Sequence, residues 1–84
     1  METRVAVITI LVEDNSSTET LNQLLHEARD YIIGRMGIPY REREVNIISV
    51  AMDAPGSVIS ALSGKLGRLP GVTAKTVYAP QDAL

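Results

Sequence analysis

Val5-Ala6-Val7-Ile8-Thr9-Ile10-Leu11-Val12 is a β-branched run of strand length, apolar at odd and even positions alike. Side chains of a strand alternate between two faces, so this pattern describes a strand buried on both. Val45-Asn46-Ile47-Ile48-Ser49-Val50-Ala51-Met52 repeats it: Val45, Ile47 and Ala51 point one way, and Ile48, Val50 and Met52 the other. Two doubly apolar strands in so short a chain predict a sheet whose faces both need cover. The stretches around them decide what supplies it.

After the first run comes Glu13-Asp14-Asn15-Ser16-Ser17-Thr18-Glu19, in which Ser16 and Glu19 have capping-box spacing, and a helix is expected to begin near Ser17. Leu21, Leu24, Leu25 and Ala28 then fall on one stripe, with Asn22, His26 and Arg29 on another face. Over residues 31–40 the helical period fails. Gly34, Gly37 and Pro39 interrupt a stretch whose Ile32, Met36 and Ile38 share parity, which predicts an edge strand. Arg41-Glu42-Arg43-Glu44 is the expected turn into the strand from Val45. Asp53-Ala54-Pro55-Gly56-Ser57 ends that strand and opens a second helix, with Pro55 in its first turn and Val58, Leu62, Leu66 and Leu69 as its core stripe. Pro70-Gly71 closes the helix, and residues 72–78 form a last, more polar strand with Thr73 and Lys75 on the Val77 face.

The order β-α-β-β-α-β predicts one domain over residues 1–84: an α+β, ferredoxin-like sandwich with a four-stranded antiparallel sheet and two helices on one face. The first and third strands are central in that arrangement, and both are apolar on the face the helices leave bare. With no third helix evident within these 84 residues, the expected cover is a second copy of the sheet, stacked face to face or joined edge to edge. A homo-oligomer, dimer or tetramer, follows as an expectation.

Composition bounds the function classes. The chain has 84 residues, 45% hydrophobic and 21% charged, with formal net charge −2 and no cysteine. Domains this small bury only about 60% of their unfolded surface, so a lone subunit is marginal. The absence of cysteine removes disulfides, thiolate metal sites and thiol nucleophiles. A weakly acidic chain is a poor electrostatic partner for nucleic acid, and no apolar run has spanning length, so neither direct nucleic-acid binding nor membrane insertion is expected. No signal-like segment precedes the first strand, which places the chain in the cytoplasm as an expectation. One histidine and no GxSxG, HExxH or phosphate-loop pattern point away from an enzyme, and no cofactor or metal is expected.

Three groups of residues are candidates for function. Asp14 and Asn15 follow the first strand, and Asp53, Gly56 and Ser57 follow the third; if both junctions lie at one end of the sheet, they frame a small polar ligand or cation. The alternative is that they are helix caps, which prefer the same residue types. On the second helix, Ser57, Ser60, Gly64 and Gly67 make a narrow stripe away from Leu62 and Leu66. Glycine within a helix costs roughly 1 kcal/mol against alanine, so the stripe reads as a close approach by a partner chain or ligand, or else as early fraying. Arg41 and Arg43 share one parity with Glu42 and Glu44 on the other, a solvated hairpin tip or a set of reciprocal ion pairs across a two-fold axis. His26 reads as a solvated helix residue.

Gly34-Arg35-Met36-Gly37-Ile38-Pro39-Tyr40-Arg41-Glu42 and Ser60-Ala61-Leu62-Ser63-Gly64-Lys65-Leu66-Gly67-Arg68-Leu69-Pro70-Gly71-Val72, with Val12-Glu13-Asp14 closing the first strand, carry a resemblance over nearly the whole chain. It resembles the small family of iron-only hydrogenase system regulators. The resemblance implies an ACT-like form of the ferredoxin-like fold, similar to the carboxyl-terminal domain of the nickel-responsive transcription regulator, and a regulatory or accessory role by ligand sensing or protein contact. Nickel-responsive regulators hold metal through histidines and a cysteine near the sheet, and the strands here carry neither. Their DNA-binding segment precedes the sensor domain, whereas the first strand here begins within five residues of Met1, so a transcriptional effect is expected to need a separate partner. The glycine-containing turn of amino-acid-binding ACT domains is replaced by Glu13-Asp14-Asn15-Ser16. The expectation is a non-enzymatic oligomeric ACT-like module that binds a small ligand or a partner protein. The alternative is a scaffold or assembly protein whose homo-oligomer is itself the function.

Overall fold

In the computed structural model, which describes residues 2–80, the opening apolar run is β1 (Arg4–Val12). A 3-10 turn (Asn15–Ser17) leads into α1 (Thr18–Glu27), and a second (Arg29–Tyr31) into β2 (Ile32–Tyr40). A third (Arg41–Arg43) joins β2 to β3 (Val45–Ala54), followed by α2 (Gly56–Gly67) and β4 (Val72–Tyr78). The sheet order is β2-β3-β1-β4 with every neighbour antiparallel, the ferredoxin-like arrangement expected from the element order. The apolar strands β1 and β3 are the central pair.

Parity divides β1 as expected: Ala6, Ile8, Ile10 and Val12 are buried under the helices, while Val5, Val7, Thr9 and Leu11 face out on the other side. Val50, Met52 and Ala54 of β3 complete the sheet side of the core, and Leu21 and Leu25 of α1, Ala28 just past its end, and Ile59, Leu62 and Leu66 of α2 complete the helix side. Each fully buried Leu, Ile or Val contributes roughly 1.5–3 kcal/mol through removal of its surface from water. The stripe on α2 is centred on Ile59, Leu62 and Leu66, with Val58 and Leu69 half-buried at its margins. The expectation omitted Ile59, because starting the stripe at Val58 rotated it by one residue, or 100°.

Two local expectations are corrected. The entry to α1 is not capped by Ser16 with Glu19: Asp14 accepts the Ser16 amide at 2.9 Å, and the 3-10 turn that this holds carries the chain to α1. Ser17 turns inward instead, and its hydroxyl donates to the Pro70 carbonyl at 2.6 Å. In β2, Ile32 lies opposite Met52 on the helix side, but a bulge between Ile32 and Gly34 moves the rest of the strand over by one. Met36 and Ile38 therefore lie opposite Ser49 and Ile47 on the helix-free face, although their parity matches that of Ile32.

The helix-free face is left open. Val5, Val7, Leu11, Met36, Ile38, Tyr40, Ile47 and Val77 all lie on it and all are exposed, Val77 by 67% and Met36 by 60%. The doubly apolar reading of β1 and β3 thus holds, with helices covering one face and nothing from this chain covering the other among the described residues.

Candidate functional site

Because β1 and β3 run antiparallel, the carboxyl end of β1 lies beside the start of β3: Val12 pairs with Asn46 and also with Val72. At that end Glu13 donates its amide to the Gly71 carbonyl at 2.8 Å, which ties the β1–α1 junction to the start of β4. Asp14 sits against Gly71, whose φ of +69° and missing side chain let the two backbones meet. Hydrogen bonding by Ser16, from its side chain foremost and then its amide, holds the Asp14 carboxyl below its ordinary value. The Asp14 carboxylate is therefore a cap that shapes the loop.

The β2–β3 connection ends at the same place. Its 3-10 turn closes on Glu44 in the left-handed region, φ 53°, an arrangement that costs a non-glycine residue about 1 kcal/mol or more. Between this turn and the end of β1 lies a cleft of about 460 Å³ whose polar lining is Glu13, Asn15, Tyr40, Arg41, Glu44 and Asn46. Tyr40 donates its hydroxyl to Glu42 at 3.3 Å along the rim. One guanidinium, two carboxylates, two carboxamides and a phenol converge here. That set can hold a small polar molecule bearing groups of both signs, by ion pairing at the guanidinium and hydrogen bonding at the amides.

Asp53, Gly56 and Ser57 are not part of this site. The register places Asp53 opposite Val5 and Ala54 opposite Arg4, at the far end of the sheet from Asp14 and Asn15. Nine residues of strand separate Val5 from Asp14, roughly 30 Å at about 3.4 Å per residue. The expected juxtaposition fails because antiparallel central strands send their carboxyl ends in opposite directions. At the far end Pro55 caps α2 without a side-chain hydrogen bond, Gly56 lies beside the Arg4 side chain, and the Arg4 guanidinium stacks 4.2 Å from the centre of the Tyr78 ring.

The register brings Asn15 together with Arg41, assigned from sequence to separate groups, and adds Tyr40 and Asn46, which sequence reading passed over. The signal that finds Asn46 is the pairing itself: it is a polar residue on the helix side of β3, opposite Val12, where an apolar one would otherwise sit. Arg43 is exposed on the same turn. On α2, Ser57, Ser60 and Gly67 are exposed and Gly64 is half-covered, a methyl on it standing 3.5 Å from the Arg68 guanidinium. His26 is exposed on α1. A second cleft of about 290 Å³ opens between α1 and β2, with Leu21 and Ile48 among its apolar walls and the Arg35–Asn22 hydrogen bond, 3.4 Å, beside it. Among the described residues no three His, Cys, Asp or Glu gather as a metal site, and no helix is long and apolar enough to cross a membrane.

This geometry defines the class: a ferredoxin-like α+β sandwich with one open apolar sheet face and a polar cleft at one end of the sheet. Residues 4–76 match the family described as "TM1266-like: Iron-only hydrogenase system regulator, putative". The chain belongs to that family. The solved structure of TM1266 from Thermotoga maritima superposes with a TM-score of 0.90 at 38% identity, over 94% of this chain and 100% of that one. A formyltetrahydrofolate deformylase from Pseudomonas putida KT2440 superposes with a TM-score of 0.64 at 17% identity, over 90% of this chain and 29% of the other, a likeness of fold alone. Comparison with curated proteins gives no match.

Proposed function

We propose that this chain is a non-catalytic, ligand-sensing regulatory module of the iron-only hydrogenase system, acting in the cytoplasm as a homo-oligomer and without a cofactor of its own. The supporting observation is the cleft between the β1–α1 junction and the β2–β3 turn, where Asn15, Arg41 and Asn46 converge from three segments on one concave, polar surface. A small molecule with an anionic group against Arg41 and hydrogen-bonding groups against Asn15 and Asn46 is its ligand. Asp14 serves as the cap that holds Asn15 in place; Asp53, Gly56 and Ser57 have no part in it. Any effect on transcription passes through a separate DNA-binding partner.

Thermal-shift titration with amino acids, nucleotides and divalent metals tests the reading, since a ligand that binds only the folded form raises the midpoint with concentration. At least one class is expected to do so, and the shift is expected to vanish in Arg41→Ala and Asn46→Ala. A flat response to the whole panel would remove the ligand-sensing reading. The scaffold reading, in which the oligomer alone is the function, draws support from the exposed apolar sheet face and is what an oligomer with a flat response would leave standing.

A further inference from the structure

We infer that the helix-free face of the sheet is the contact surface between two copies of this chain, stacked face to face about a two-fold axis that lies along its apolar band. The inference rests on the homo-oligomeric part of the proposed function and specifies the surface. In register terms the face is laid out as a diagonal. Tyr40, Ile38, Met36, Ile47 and Leu11 occupy the end near the β2–β3 turn on β2, β3 and β1, and Val7, Val5 and Val77 occupy the opposite end on β1 and β4. The two corners off the diagonal are polar or small. One holds Thr73 and Lys75 of β4, the other Gly34 of β2 and Asp53 of β3.

Lys75 and Asp53 are the charged side chains of this face within the paired strands, one of each sign, on opposite flanks of the band. A two-fold axis along the band exchanges the flanks, so it carries Lys75 of each copy toward Asp53 of the partner subunit and buries no net charge. That self-complementarity favours a second copy over an unrelated partner, whose charges would have no reason to match. Area agrees. Eight large apolar residues about half exposed present on the order of 650 Å² per face, so two stacked faces bury about 1,300 Å², within the range of specific interfaces. The edges, by contrast, add to their strand backbone Ile33 at the β2 bulge, and the Ser60–Gly64–Gly67 stripe on α2 offers little side-chain area.

Sedimentation of the full chain tests this at concentrations up to about 100 μM, together with Ile47→Glu and the charge variants Lys75→Glu and Lys75→Glu/Asp53→Lys. The wild type is expected at twice the 9.1 kDa chain mass or a multiple of it. Ile47→Glu is expected to weaken association by about a hundredfold or more, because it buries an unpaired carboxylate. Lys75→Glu weakens it less, and the double variant recovers it. Circular dichroism establishes that each variant is folded, and Met36→Glu on the exposed edge strand replaces Ile47→Glu if that one is not. A wild type that stays monomeric overturns both this inference and the oligomeric reading. An oligomer unaffected by Ile47→Glu and Met36→Glu overturns the face alone.

Discussion

Gly71 has a left-handed φ of +69°, and a methyl placed on it would stand 2.9 Å from the Asp14 backbone nitrogen. Gly71→Ala adds the cost of that φ to a backbone collision that no rotamer relieves, and is expected to destabilise by about 2 kcal/mol or more. Urea unfolding at neutral pH measures it; a loss under about 0.5 kcal/mol would mean that the turn yields freely. Asp14, the residue it meets, gives a prediction in pH. Its folded pKa is lowered, so its contribution to stability is present above the ordinary carboxylate value near 3.9 and is lost as pH falls through the folded value. Asp14→Asn keeps an acceptor for the Ser16 amide and removes the titration. Its stability is expected to match the wild type near neutral pH and to fall less steeply as pH drops below the ordinary carboxylate range. An identical acid limb in both proteins would assign the effect to other carboxylates.

Among the elements, α2 carries a cost that nothing among the described residues offsets. Gly64 faces away from the Ile59–Leu62–Leu66 stripe, and a methyl there would make ordinary contact with the flexible Arg68 side chain. Gly64→Ala is therefore expected to stabilise the isolated fold by about 1 kcal/mol through helix propensity alone. If the fold gains stability while the sedimenting mass is unchanged, the Ser60–Gly64–Gly67 stripe is a solvent face; a drop in mass would mark it as a contact between copies. The helices and strands themselves were legible in the sequence, because Leu21, Leu25 and Ala28 repeat at helical spacing and Ile8, Ile10, Val50 and Met52 at strand spacing. The bulge in β2 was not: nothing in Ile32-Ile33-Gly34 separates an inserted residue from a regular one, and only the pairing with Met52 and Ala51 reveals it. The candidate site was half legible for a related reason. Asn15 was identified by its place after a strand, but its neighbours Arg41 and Asn46 depend on which strand ends meet, a property of topology rather than of any local motif.

At the scale of the molecule, the described fold is a two-layer slab with principal extents of 40 × 22 × 18 Å and one broad face of exposed side chains. Layered folds of this size gain stability when such a face is covered, and cover by a second copy links folding to concentration. The thermal midpoint is expected to rise by about 5–10 °C over a hundredfold increase in protein concentration, for an unfolding enthalpy of roughly 0.7 kcal/mol per residue. Differential scanning fluorimetry across that range reads it directly, and a constant midpoint would describe a self-sufficient monomer. The sheet order carries a further consequence, for how the chain is made. β1 precedes β3 and β4 in the chain yet sits between them, and its partners follow it by 34 to 72 positions, from Asn46 opposite Val12 to Tyr78 opposite Ala6. On the ribosome it gains its β3 neighbour only some 34 or more residues later, and its other edge stays unpaired until β4 has emerged. Residues 4–12 are thus the stretch of this fold that a nascent-chain chaperone holds longest.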